Sequence, residues 1–276
     1  MWGDRFKTGD NAEPGDRSAG GPRSSPGGRQ KILLHLGKTI GFALIIFILF
    51  HEGARETVLQ VLFSKENEVI YDRIGLVDML GRHLLLVIVS SSAATVVGIV
   101  IGIVVTRPLG RDFLGVVRDI ASLAQTFPPV AVLALAVPAL GYGFEPTVAA
   151  LFLYSLLPVL NNTIDGMESI PKELTEASRG LGMTKMQVLL LSELPLSARV
   201  IIAGIRTTIV LNIGTATVGA VVGAGGLGVI IVAGLVRDNT AFVFTGAVTA
   251  ALLALSADRL LAQLEGLFYA PRKRES

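Results

Sequence analysis

The sequence predicts an all-α integral membrane protein with about six transmembrane helices, and three observations carry that prediction. Of its 276 residues, 51% are hydrophobic and only 17% charged, whereas soluble domains run near a quarter charged because they need a solvated shell. Mean hydropathy is +0.63. The charges are also unevenly spread: Thr207 to Val236 is a run of 30 residues without one. An uncharged apolar run of about 18 or more residues reads as a membrane helix. This composition excludes a soluble enzyme.

The elements follow in order. Residues 1–31 are polar and rich in Gly, Pro, Ser and Arg, which predicts a disordered tail. No signal peptide is expected, because the apolar stretch begins too late and no small-residue cleavage pattern closes it. A membrane domain is expected over residues 32–270, with spans at about 32–50, 84–106, 120–144, 146–164, 198–222 and 239–257, and residues 271–276 form a second tail. The first span is interrupted by His35 and Lys38, and the third carries Pro128, Pro129 and Pro138. The fifth ends in glycines around Gly223. Six spans of about 20 residues use about 120 residues, leaving room for one substantial loop on each side.

Lys and Arg counts orient the spans. With the amino terminus inside, inner segments carry 18 of them and outer segments five; leaving out the seven before residue 39 still gives 11 against five. Both termini are therefore predicted to be cytoplasmic. The net charge of +2 serves this orientation; without a basic stripe interleaved with aromatics it does not point to nucleic acid. With no cysteine in the chain, disulfides, thiolate metal sites and cysteine nucleophiles are excluded. His35, His51 and His83 lack metal-ligand spacing, and each is expected near a membrane boundary.

That topology makes residues 165–196 a cytoplasmic loop. Pro171 suits a first helical position, Leu174, Ala177 and Leu181 recur at helical spacing, and Gly182 can take the positive φ that ends such a helix. Thr184 and Gln187 form a capping box, with Met183 and Val188 placed as a hydrophobic staple. Pro195 is expected to break the second helix just before the fifth span. The loop thus reads as two short helices hinged at Gly182. Such a hairpin either lies in the membrane interface or docks a cytoplasmic partner.

These residues resemble a known family. Permeases of ATP-binding-cassette (ABC) importers carry a loop signature of Glu-Ala-Ala, three residues, Gly, nine residues, then Ile-x-Leu-Pro. Here Glu176-Ala177-Ser178, Gly182 and Ser192-Glu193-Leu194-Pro195 keep the spacing, with Ser178 in place of Ala and Ser192 in place of Ile. The likeness runs from about residue 80 to 265. The strings Gly180-Leu181-Gly182-Met183-Thr184, Ala203-Gly204-Ile205-Arg206-Thr207, Gly214-Thr215-Ala216-Thr217 and Gln125-Thr126-Phe127-Pro128 are most similar to osmoprotectant permeases, which import glycine betaine, choline, carnitine and related quaternary amines. So is Gly223-Ala224-Gly225-Gly226-Leu227-Gly228.

The resemblance implies a type I ABC importer (MetI-like) fold in the bacterial inner membrane. It implies a permease dimer, of identical or homologous chains, with two ATP-binding subunits and an extracytoplasmic binding protein. Glu176, Ala177, Ser178, Gly182, Leu194 and Pro195 would form the loop that couples to the ATPase. The chain holds no Gly-x-x-x-x-Gly-Lys-Ser/Thr loop of its own, so ATP and magnesium are expected on the partner, and no metal or catalytic residue on this chain. Other solutes of the same class, such as methionine, taurine or nitrate, stay open. A secondary carrier is the alternative from another class, though no repeat and no charge in the second or fourth span supports it.

The translocation path is expected near Gln125, Thr126 and Pro128, where two prolines free backbone carbonyls, and along Thr208, Asn212 and Thr215. Those three fall on one helix face at i, i+4 and i+7; they either line the path or hydrogen-bond between helices or back to their own. Gly219 and Gly223 form a small-xxx-small pair for close helix approach, and Gly225, Gly226 and Gly228 extend it into a turn or gate. Gly223, Gly225 and Gly228 also match a dinucleotide fingerprint, but a membrane span stands where its strand belongs. Arg206, about two turns into span five, is expected to snorkel to the interface. Residues 198–236 contain no aromatic side chain, so a cage for a quaternary ammonium would have to sit on the separate binding protein.

Overall fold

The apolar runs become long helices with no strand among the described residues, which in this computed structural model are residue 44 and residues 47–268. Both tails, and the first expected span apart from residues 44 and 47–50, lie outside the described residues. Residues 46–276 form one unit, described here by itself. Among the described residues four helices are long and apolar enough to cross a membrane.

A short helix, α1 (Glu52–Leu62), comes first. Helix α2 (Leu76–Val105) has 30 residues, about 45 Å at 1.5 Å per residue, against a hydrocarbon core of about 30 Å. It starts eight residues earlier than expected at 84, because Asp78, Arg82 and His83 sit in its first turns. Helices α3 (Leu114–Thr126) and α4 (Pro129–Leu140) are bent by 97° at the short break between them and are together apolar enough for a membrane segment. Pro128 is extended and caps α4, and Pro129 occupies its first turn, where a missing N–H costs nothing. Helix α5 (Phe144–Glu168) crosses next. Helices α6 (Lys172–Gly180) and α7 (Lys185–Gln187) lie in the loop. A π-turn over Val188–Glu193 then leads into α8 (Leu194–Thr215), which tightens to a 3₁₀ segment over Ala216–Val222. Helix α9 (Gly228–Arg237) has 10 residues, about 15 Å long and too short to cross. Helix α10 (Thr240–Phe268) is the last.

Glycine sets how closely these helices pack. A Cβ at Gly102 would lie 2.7 Å from the Thr163 side chain, and one at Gly98 would lie 3.0 Å from Val159. The register advances in one direction on both helices, so α2 and α5 run parallel. A Cβ at Gly204 would sit 2.6 Å from Asn162, and Thr208 Oγ1 donates to Ser155 O at 3.1 Å; here the registers run oppositely, so α8 is antiparallel to α5. Small residues let backbones approach where lipid supplies no hydrophobic drive between helices. The core centres on Leu86, Val87, Leu151, Ile213, Ala216 and Ala224. Facing outward are Val96 (63% exposed), Val100 and Val104 of α2 and Leu211 of α8, as a lipid-facing surface requires.

Candidate functional site

The loop at the end of the bundle is built as its grammar dictates. Helix α6 begins at Lys172, with Pro171 extended as its cap rather than its first helical residue. It ends in a Schellman motif: Met183 N–H donates to Ser178 O (3.3 Å), Gly182 N–H donates to Arg179 O (2.9 Å), and Gly182 has φ +82°. Thr184 Oγ1 then accepts from Gln187 N–H while Gln187 Oε1 accepts from Thr184 N–H, so the capping box is closed both ways. The hinge is therefore fixed on both sides. Ser178 is buried and bonds Ser192 Oγ at 3.3 Å, tying α6 to the π-turn. Glu176, Ala177 and Gly182 are exposed, as are Leu174 and Leu181, the latter 80%. An apolar stripe on a well-capped hairpin is thus left uncovered.

Pro195 does not break the chain ahead of the span; α8 runs through it. The π-turn explains why. Leu194 N–H bonds Leu189 O, five residues back, so the ladder has already shifted register where the proline ring and its missing N–H arrive. Leu194 is half-buried and Pro195 exposed. Glu193, at the end of the π-turn, is buried and pairs with Arg107 just beyond α2, Oε2 to Nη1 at 2.6 Å. Arg118 of α3 reaches Asp165 and Glu168 of α5, each at 2.9 Å.

Midway through the bundle, Thr208 and Asn212 hold helices together. Asn212, 1% exposed, donates to Ser90 Oγ (3.0 Å) and Ser91 Oγ (2.9 Å) of α2, and Thr208 bonds α5. Both are buried between helices, where an amide or hydroxyl is satisfied by the nearest helix. Thr215 is half-buried and bonds back to Leu211 O. Thr126 is exposed and bonds back to Leu123 O, Pro128 is exposed at the bend, and Gln125 lies in the last turn of α3. A groove of about 340 Å³ between α2 and α8 is lined by Ser91, Ser92, Thr95, Ile205 and Ile209 among others. The hydroxyls of α2 gave no signal in the sequence, since serine and threonine are common in packed membrane helices.

Arg206 does more than snorkel. Its Nε and Nη2 grip Asp258 at 2.6 and 2.9 Å, with Glu265 at 3.7 Å, joining α8 to α10. Here the two acidic residues of α10 supply a nearer partner than the interface.

The glycine cluster divides in two. Gly219 is a packing residue, its Cβ position 2.5 Å from Thr147. Gly223 is not its small-xxx-small partner: it has open space around it and φ +80°, ending the 3₁₀ segment as a left-handed cap. Gly225 and Gly226 also have positive φ, and a Cβ on Gly228 would run into Thr217 O. The pair that does match the small-xxx-small pattern is Gly98 and Gly102.

The turn is held by His83, a residue the sequence places only near a boundary. It is 0% exposed. Its Nδ1 accepts from Leu227 N–H at 3.3 Å, and its Nε2 lies 2.9 Å from Ile213 O. A carbonyl only accepts, so the ring is neutral and carries its proton on Nε2. One imidazole thus joins α2, α8 and the 223–228 turn. Among the described residues no cluster of His, Asp and Glu could hold a metal ion.

The family model for the inner membrane component of binding-protein-dependent transport systems matches residues 94–267. The chain belongs to this family of permeases. The osmoprotectant import permease OsmY of Salmonella typhimurium is 39% identical over 230 residues, covering 83% of this chain and 94% of that one. The choline transport permease OpuBD of Bacillus subtilis is 40% identical over 200 residues, 72% and 88% of the two chains. The carnitine transport permease OpuCD of Listeria monocytogenes is 43% identical over 185 residues, 67% and 82%. In fold, the permease is similar to a chain of the inward-facing MetNI methionine ABC transporter, with TM-score 0.63, 23% identity, and coverage of 70% and 96%. It is thus a multi-pass inner-membrane permease of the type I importer fold, whose relatives are transport permease subunits.

Proposed function

We propose that this permease forms the translocation path for quaternary-amine osmoprotectants such as glycine betaine, choline or carnitine, driven by a separate ATPase. The substrate class rests on the names of relatives about 40% identical over most of the chain. The coupling role rests on one observation in the structure. Leu174 and Leu181 lie uncovered on a helix pair capped at its hinge by a Schellman motif and a capping box. Such a surface costs solvation unless a partner covers it.

In this reading residues 165–196 face the cytoplasm, with both termini on that side, and one of two ATP-binding subunits seats against Glu176, Ala177 and Gly182, while the buried Ser178 ties the hairpin behind them. Those subunits carry ATP and magnesium. A second permease, identical or homologous, completes the membrane unit, and an extracytoplasmic binding protein delivers the amine. Closure of the ATPase pair moves α6 and α7, and α8 follows because the π-turn makes it continuous with them. The path is lined by Gln125, Thr126 and Pro128 at the α3–α4 bend, by Thr215, and by the hydroxyl-lined groove of α2; Thr208 and Asn212 brace it from behind. Gly223, Gly225 and Gly226 form the turn at its outer end.

The test is Gly182→Trp. A bulky residue at φ +82° strains the hinge by about 1–2 kcal/mol and stands where the ATPase would seat. The ATPase should no longer co-purify, while the chain still inserts in the membrane. Normal transport by the variant would refute the docking assignment.

A further inference from the structure

The Arg107–Glu193 pair is an expensive contact with no evident return in stability. Glu193 is 6% exposed, and its Oε2 lies 2.6 Å from Arg107 Nη1. The remaining guanidinium nitrogens of Arg107, Nε and Nη2, are buried without a hydrogen-bond partner among the described residues. Glu193 is the buried member, while the Arg107 side chain is 31% exposed; desolvating such a carboxylate is repaid only when the hydrogen-bonding positions around it are filled, and an apolar pair of the same volume commonly does as well. The pair is therefore better explained by what it joins than by what it stabilises.

What it joins are the end of the π-turn and the segment just beyond α2. Beside the ion pair a cavity of about 230 Å³ is lined from both sides, by Ile103 and Val104 of α2 and by Met186, Val188 and Leu189. On one side, Glu193 closes the π-turn, which Ser178 and Ser192 tie to α6. On the other, Arg107 follows α2, which is locked to α5 through Gly98 and Gly102. A π-turn is a strained, adjustable register often found at working sites, and here it sits at the junction.

We infer that the Arg107–Glu193 pair is the strut by which movement of the coupling hairpin reaches α2 and, through it, α5. Glu193 and Arg107 are positioning residues for transport, and this rests on the reading of residues 165–196 as the ATPase-docking loop. Movement of the hairpin reaches α8 through the continuous chain. The strut gives it a second route, so both walls of the α2–α8 groove move together. Without it, ATP hydrolysis continues while α2 follows only through its contacts with α8, and the two walls fall out of step.

The test uses the full complex of permease, ATPase and binding protein in liposomes, reading both amine uptake and ATP hydrolysis. Glu193→Gln and Arg107→Gln should each assemble, hydrolyse ATP, and take up roughly fivefold less amine per ATP or worse. The charge swap Arg107→Glu with Glu193→Arg should recover much of that ratio. The apolar pair Arg107→Met with Glu193→Leu should assemble as well as wild type yet stay uncoupled. A wild-type amine-to-ATP ratio in either single variant or in the apolar pair overturns the strut. So does a swap no better than the single variants in a complex that assembles. The docking reading fails separately, if the wild-type chain does not retain the ATPase at all.

Discussion

Replacing His83 with Leu removes the one side chain that satisfies two buried backbone groups at once. Leu227 N–H loses its acceptor and Ile213 C=O loses its donor, in a site with no exposure at the ring. An orphaned buried group costs about 1–3 kcal/mol, whereas hydrogen bonds between membrane helices average nearer 0.6 kcal/mol. Two groups together therefore lose about 1–6 kcal/mol. For a chain of this size, 1 kcal/mol moves the melting temperature by about 2–4 °C, so a loss near 2 kcal/mol lowers it by about 4–8 °C. Size-exclusion recovery after heating, in detergent, measures this. Gln places its amide where Nε2 stood and keeps the bond to Ile213; Asn places its carbonyl where Nδ1 stood and keeps the bond to Leu227. Each should lose about half as much. A Leu variant melting within about 1 °C of wild type would refute the assignment of His83 as the anchor of the 223–228 turn.

Three further outcomes are expected. Gly102→Ile should prevent a folded complex, since even a Cβ there falls 2.7 Å from Thr163, while the same change at Gly115, with open space around it, should be tolerated; yield of intact complex reads both. Arg206→Leu should lower that yield by leaving Asp258 without its partner at 2.6 Å, and adding Asp258→Leu should restore it. Asn212→Leu should cost stability by stranding Ser90 and Ser91, yet leave uptake per folded complex close to wild type, because Asn212 braces the helices; a selective loss of uptake at normal stability would instead place it in the path.

Local signals were legible wherever neighbouring residues decide the outcome. The hinge at Gly182 and the capping box at Thr184 and Gln187 are set within a few positions of chain, and both stand as the residues specify. Features that depend on residues far apart in sequence were not legible. His83 meets Leu227 across 144 residues and Arg206 meets Asp258 across 52, and nothing local marks either pair. Thr208 and Asn212 read equally as path or brace until α2 and α5 are seen beside them. Gly219 and Gly223 share a spacing but not a conformation, because Gly219 lies inside the 3₁₀ segment and Gly223 ends it with a left-handed cap. Pro195 is a helix breaker by rule, and the rule failed because the preceding π-turn had already shifted the ladder. Helix α9 was hidden by the lack of any charge to separate it from span five.

The central claim is that this permease moves quaternary amines only when a partner hydrolyses ATP. Uptake of labelled glycine betaine into an uptake-deficient bacterium at high osmolarity tests it most directly, with the chain expressed beside its neighbouring binding-protein and ATPase genes, and again without the ATPase. Uptake that appears with the ATPase and vanishes without it is the predicted result. Equal uptake in its absence would contradict the coupling, and no uptake by an assembled complex would contradict the substrate class.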